Sequence, residues 1–286
     1  SSFLIDKYDI VCVSNVEDFV HQKENYRPLQ KSDNNDVVLF GNPTFHFSDK
    51  ELFVLDSKRS LIITELDSLQ RGLTIAQLPG TQKEIDLISK NFKTQDWNMT
   101  LFSALEATEE NVKRIDAPKI LHIATHGYFF KNIEHQQNST QQEINKDYDN
   151  PMLRSGLLFA GSGNTRDGKL LKGDNGWLTS YEASLLNLRG TELVVLSACE
   201  TGSGDVQNGK GVYGLQRAIR AAGAKSLIMS MWNVDDNATQ ELMTSFYDYW
   251  IDKKMSKKVA FNKAQQKIRE KYKHPYYWGA FIMLGE

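Results

Sequence analysis

An α/β fold built on a largely parallel sheet is the class this sequence predicts, and three observations carry it. Short apolar, β-branched runs recur between helical stretches along the whole chain. The clearest, Leu193-Val194-Val195-Leu196, shows no polar alternation, as a strand buried on both faces requires. Helix-start signals, a Thr followed three residues later by a Glu, separate the runs. No tandem repeat points to a solenoid instead.

The elements follow in order. Tyr8–Val13 and Val37–Gly41 read as strands, and Asn42-Pro43 stops the second. Thr81-Gln82-Lys83-Glu84 has the spacing of a capping box and opens a helix carrying Ile85, Leu87, Ile88 and Phe92. Thr108 starts a short helix, and Lys119–Ala124 and Gly156–Ala160 are strands. Thr179-Ser180-Tyr181-Glu182 repeats the capping-box logic before Leu185, Leu186 and Leu188. The strand Glu192–Ser197 comes next, then a helix from Val212 to Ala222 stopped by Gly223, which tolerates a left-handed conformation. Lys225–Met231 is a strand, Asn237–Ile251 a helix capped by Asp236, Lys257–Tyr272 another helix, and Trp278–Leu284 the last strand. Two stretches, Lys131–Asn150 and Gly161–Gly176, are polar or glycine-rich and read as long surface loops.

Composition narrows the function. The chain has 286 residues and a formal net charge of −2, so it carries no global basic field for nucleic acid or an anionic membrane. Six Pro and 19 Gly exclude collagen-like and low-complexity classes. No apolar run is long enough to span a bilayer, and the start, Ser1-Ser2-Phe3-Leu4, has no signal-peptide pattern. The absence of an initiator Met suggests a processed chain or a piece of a longer one. Cys12 and Cys199 cannot make a disulfide framework, which points to a reducing, cytoplasmic setting.

In an open parallel sheet the ligand site lies at the carboxyl ends of the strands. His126 follows Lys119–Ala124, and Cys199 follows Leu193–Ser197. If both strands run parallel in one sheet, imidazole and thiol share one edge of the molecule. The thiolate is then a nucleophile, with the histidine removing its proton and later protonating the leaving amine. The N–H groups of Gly127 and Cys199 could stabilise an oxyanion. Against this stands the plainer reading of a strand-end cysteine as a small buried hydrophobe. Cys12 reads as core packing and His122 as a hydrogen-bonded core residue. The remaining histidines show no paired ligand spacing, so no metal site is expected. Glu200 and the pair Asp235-Asp236 could be acid–base groups, although carboxylates after strands commonly cap helices.

Six ordered motifs resemble those of one family, the CHAT domain: Ala124-Thr-His-Gly, Asn150-Pro-Met-Leu-Arg-Ser-Gly-Leu, Leu196-Ser-Ala-Cys-Glu-Thr-Gly, Gly223-Ala-Lys-Ser-Leu, Met231-Trp-Asn-Val-Asp-Asp and His274-Pro-Tyr-Tyr-Trp-Gly-Ala-Phe. These are bacterial caspase-like cysteine peptidases, related to caspases, metacaspases and separases and often joined to tetratricopeptide repeats. The resemblance implies a caspase-like three-layer sandwich with a mostly parallel central sheet flanked by helices. It makes 1–286 one domain, with 1–80 an N-terminal part and 81–286 the catalytic core. It implies a regulated endopeptidase, needing neither metal nor cofactor, with His126 and Cys199 as the dyad and Gly127 and Cys199 as the oxyanion hole. Ser197, Glu200, Trp232, Asp235 and Asp236 become the substrate-binding candidates. A carboxylate at Asp235 or Asp236 would favour cleavage after a basic residue, as in separases, while a neutral Ser197 also permits an uncharged one. The implied partners are a protein substrate and an activating partner or upstream tetratricopeptide-repeat region, with no nucleic acid and no membrane. The competing expectation is a catalytically silent scaffold that binds a partner protein. Arg166, Lys169 and Lys172 raise self-cleavage in the second loop.

Overall fold

The computed structural model describes residues 3, 4, 7, 8, 10, 12, 35–48, 75–93, 96–130, 152–168, 174–199, 210–232 and 235–285. Among the described residues eight strands are interspersed with helices, in chain order: β1 (Asp36–Pro43), α1 (Pro79–Lys93), β2 (Asn98–Ala104), α2 (Glu109–Lys113), β3 (Ile120–Phe129), β4 (Ser155–Leu158), α3 (Ser162–Arg166), β5 (Trp177–Thr179), α4 (Ser180–Ala183), β6 (Leu193–Cys199), α5 (Lys210–Ala221), β7 (Ser226–Ser230), α6 (Asp236–Tyr247), α7 (Lys257–Lys271), α8 (Pro275–Trp278) and β8 (Phe281–Leu284). A π-helical turn, Asp248–Asp252, continues α6.

The main sheet has the order β2-β1-β3-β6-β7-β8. All its pairs are parallel except β7 with β8. Both faces are covered, which explains why β3 and β6 lack polar alternation. On one face Ile85, Ile88 and Phe92 of α1, Leu242, Met243 and Phe246 of α6, and Phe261 and Ala264 of α7 form one core with Val37, Leu39, Ile120 and Val195. On the other, Leu215, Ala218 and Ile219 of α5 and Val112 of α2 pack with Leu121, Ile123, Val194 and Leu196. Each such Leu, Ile or Phe removed from water contributes about 1.5–3 kcal/mol. The result is a three-layer α/β sandwich. Among the described residues no helix is long and apolar enough to cross a membrane.

Strand β3 runs past the expected end at Ala124, because β4 pairs antiparallel with Gly127–Phe129 and keeps the chain extended. Strand β5 then pairs with β4, and this side hairpin stands off the main sheet. Gly156 permits the pairing: a Cβ there would lie 2.0 Å from the Leu178 carbonyl oxygen.

Several expectations change. Of the first expected strand, Asp9, Val11 and Val13 lie outside the described residues, while Cys12 forms an isolated bridge with Leu284 and Tyr8 and Ile10 are exposed. Lys131–Asn150 lies outside the described residues. Gly161–Gly176 is in part a buried helical turn, since Ser162, Gly163, Asn164 and Thr165 are covered. Asn164 accepts a hydrogen bond from Phe47 N at 2.6 Å, and the Trp177 indole donates to Ser162 O at 3.0 Å. Of the three basic residues there, Arg166 is paired with Asp167, and Lys169 and Lys172 lie outside the described residues. The last strand starts three residues late, because His274 caps α8 by accepting from Tyr276 N. Gly223 ends α5 as expected, at φ +110.

Candidate active site

Strands β1 and β3 are adjacent, yet the chain leaves β1 toward β2 on one side and returns to β3 on the other. A crevice opens at the carboxyl ends of strands around such a reversal. His126 lies there, near the end of β3, and the parallel register sets it opposite Cys199 at the end of β6. Phe45, just beyond β1, packs against the imidazole with ring centroids 5.2 Å apart. The histidine is 8% exposed, so its hydrogen bonds are the protein's to supply.

One ring nitrogen is held and the other is not. Nε2 lies 2.8 Å from the carbonyl oxygen of Ala76, and a carbonyl only accepts, so Nε2 carries a hydrogen. Nδ1 is buried without a hydrogen-bond partner among the described residues. A neutral ring fixed in this way leaves its lone pair on Nδ1, ready to take a proton. Sequence reasoning missed Ala76, because a main-chain acceptor has no side-chain signature.

Below His126, on the α1 face, a polar chain crosses the core. Glu84 of α1 accepts from His122 Nε2 at 3.0 Å and from the Ser197 hydroxyl at 3.1 Å. With Nε2 donating, His122 Nδ1 accepts from the Tyr247 hydroxyl at 3.2 Å. Burial, then the Glu84 carboxylate, raise that phenol well above its ordinary value, so it keeps its proton to donate. The expected capping box at Thr81 is therefore not formed. The helix begins earlier, at Pro79, and Glu84 turns inward to the sheet. Thr81 instead accepts from Asn42 N at 2.8 Å and donates to Leu78 O at 2.7 Å, tying α1 to the end of β1.

The substrate-binding candidates separate. Ser197 is 3% exposed and lines a small cleft with Leu78, Gly80, Thr81, Glu84, Thr125, Asp236 and Thr239. Asp235, not Asp236, caps α6, accepting from Ala238 N at 3.0 Å. Asp236 is left at the cleft rim. Burial, then Asp235 and Glu84, raise its carboxyl above the usual aspartate value, while His126 pulls it down. Trp232 does not line this cleft, and its indole donates to Tyr276 O at 3.1 Å. Gly127 pairs with Leu157 of the side hairpin. Glu200 lies outside the described residues. His122 occupies the hydrogen-bonded core position expected of it.

Comparisons with known proteins agree on the fold. The family model described as the CHAT domain matches residues 1–286. Tetratricopeptide repeat protein 28 of Mus musculus is 29% identical over 106 residues, which span 36% of this chain and 4% of that protein. Among solved structures, the Arg-specific cysteine proteinase gingipain R superposes with a TM-score of 0.51 at 9% identity, covering 94% of this chain and 50% of that one. At that identity the likeness is one of fold: the caspase-like arrangement of a mostly parallel sheet between helices.

Proposed function

Because the chain belongs to the CHAT domain family and has a caspase-like fold, we propose that it is a cysteine endopeptidase working through His126 and Cys199. The observation that carries this is the Nδ1 of His126, without a partner among the described residues and on the residue that the sheet sets in register with Cys199, while Ala76 holds Nε2. In the reaction the Cys199 thiol gives its proton to His126 Nδ1, and the thiolate attacks the peptide carbonyl. The oxyanion is met by the N–H groups of Gly127 and Cys199. As the C–N bond breaks, the leaving amine takes the proton from His126, and water then hydrolyses the thioester by the reverse path. Asp236, relieved of capping by Asp235, favours a basic residue before the cut.

Cleavage at a limited number of sites, under control of another module, follows the same reading. Support comes from the repeat protein to which part of the chain is similar, since a tetratricopeptide-repeat region is then the natural regulator. The test incubates the full chain, with its upstream region where one exists, with candidate proteins, and separately with an electrophilic peptide that alkylates active thiols. Discrete fragments and labelling of Cys199 are expected. Both should vanish in Cys199→Ala, and His126→Ala should slow them by about 10²–10⁴-fold. Fragments that persist in both variants would refute the assignment, and no cleavage with an unlabelled Cys199 would favour the silent scaffold.

A further inference from the structure

The cleft beside His126 is chemically specific beyond the presence of one acidic residue. Its members come from four elements: Leu78 through Glu84 at the start of α1, Thr125 of β3, Ser197 of β6, and Asp236 and Thr239 of α6. It lies close to the dyad histidine: Ala76, which holds the imidazole, is two residues before Leu78, and Asp236 is within electrostatic reach of His126. Two carboxylates face it, Glu84 at the floor with 2% exposure and Asp236 at the rim. Among the described residues each Glu84 oxygen has one hydrogen-bond partner, which leaves acceptor capacity on both. Thr239 is 3% exposed and its hydroxyl has no partner among the described residues. A buried hydroxyl without a partner costs stability unless something supplies one. A purely structural role for Glu84, hydrogen-bonded to His122 and Ser197, explains neither that hydroxyl nor Asp236.

Size and donor geometry then choose the ligand. The cleft encloses about 20 Å³, room for a single water-sized group. Its walls close tightly: a Cβ on Gly80 would meet Asp236 Cβ at 3.1 Å. A lysine ammonium is a compact charge with three donors that can be aimed at separate acceptors, whereas a guanidinium is a broad planar fork. We propose that this cleft receives the ammonium of a lysine side chain, held between Glu84, Asp236 and the Thr239 hydroxyl, with Glu84 as the specificity-determining residue. The inference rests on the peptidase reading, which makes this cleft the pocket for the residue before the cut.

The test uses peptides identical except for that residue, which is lysine, arginine or norleucine, each ending in an aminocoumarin amide. For the full chain, kcat/KM should favour lysine over arginine by about tenfold or more. Glu84→Gln and, independently, Asp236→Asn and Thr239→Val should each lower the lysine-to-norleucine ratio, chiefly through KM. Both peptides meet the same sample, so a misfolded fraction cancels from the ratio. Binding of the three peptides to Cys199→Ala, read by fluorescence anisotropy, provides a measurement that needs no turnover. Tighter binding of the lysine peptide supports the inference even if no peptide is cut, an outcome that would overturn the peptidase reading alone. Equal binding of the three, a preference for arginine, or ratios unmoved by all three variants would overturn the lysine inference while leaving Cys199-dependent cleavage standing.

Discussion

Asp235 and Asp236 are adjacent and chemically identical, yet one residue of register gives them different work. The first turns its carboxylate to the helix end, where it holds Ala238 N, and the second has no helix end to satisfy and lines the cleft. Asp235→Ala should therefore lower stability by about 1 kcal/mol, measured by urea denaturation, without altering the preference between lysine and norleucine peptides. A sequence does not resolve this pair, since the capping position depends on where the helix starts to within one residue. Glu84 was obscured by the same kind of degeneracy. Thr81 and Glu84 have the spacing of a capping box, but Pro79, a favoured first helical residue, marks the true start three positions earlier than the box would place it. At Thr179 the identical spacing forms the box in full, Thr179 accepting from Glu182 N and Glu182 from Thr179 N. The difference is that no proline precedes it and the chain enters directly from strand β5.

At the scale of elements, the side hairpin β4–β5 matters because it grips Gly127 through Leu157. Its far strand is fastened to α2 by Glu109, which accepts from Gly176 N at 2.8 Å, and by Lys113, which lies 2.6 Å from Glu109, 2.8 Å from Glu182 and 3.4 Å from Asp174. Burial raises the Glu109 carboxyl to about 7, against the pull of Lys113. The unfolded chain releases this proton near 4.5, whereas the folded one keeps it to about 7. Folding therefore retains the extra proton between those values, and the contribution of Glu109 to stability declines as pH rises across that window, then levels off. The urea midpoint of Glu109→Gln, compared with that of the unaltered chain from pH 4.5 to 8, should lack this decline. A midpoint difference that stays constant with pH would show that Glu109 does not titrate there. Neither β5 nor the edge strand β2 was legible in advance. β5 has three residues, and β2 is half exposed, so neither presents the dense apolar run by which β6 announces itself.

For the whole molecule, burial on both faces ranks the strands. β3, β6 and β7 sit inside the sheet under two helical layers, while β2 and β8 form its edges. Hydrogen exchange should be slowest in β3 and β6 and fastest, among the strands, in β2; equal protection across the sheet would contradict the layered core. This architecture was legible because uninterrupted apolar strands and amphipathic helices admit few other arrangements. That His126 and Cys199 share one edge of the sheet was legible for the same reason, since the ends of adjacent parallel strands lie side by side in register. The partner of His126 was not, because it is the main chain of Ala76. That anchor has an evolutionary consequence. Every amino acid brings the same carbonyl, so residue 76 is at liberty to drift among descendants while the imidazole stays oriented. A lineage losing this restraint would do so by changing how the chain enters α1, for instance at buried Ile75, rather than by exchanging the residue that makes the bond.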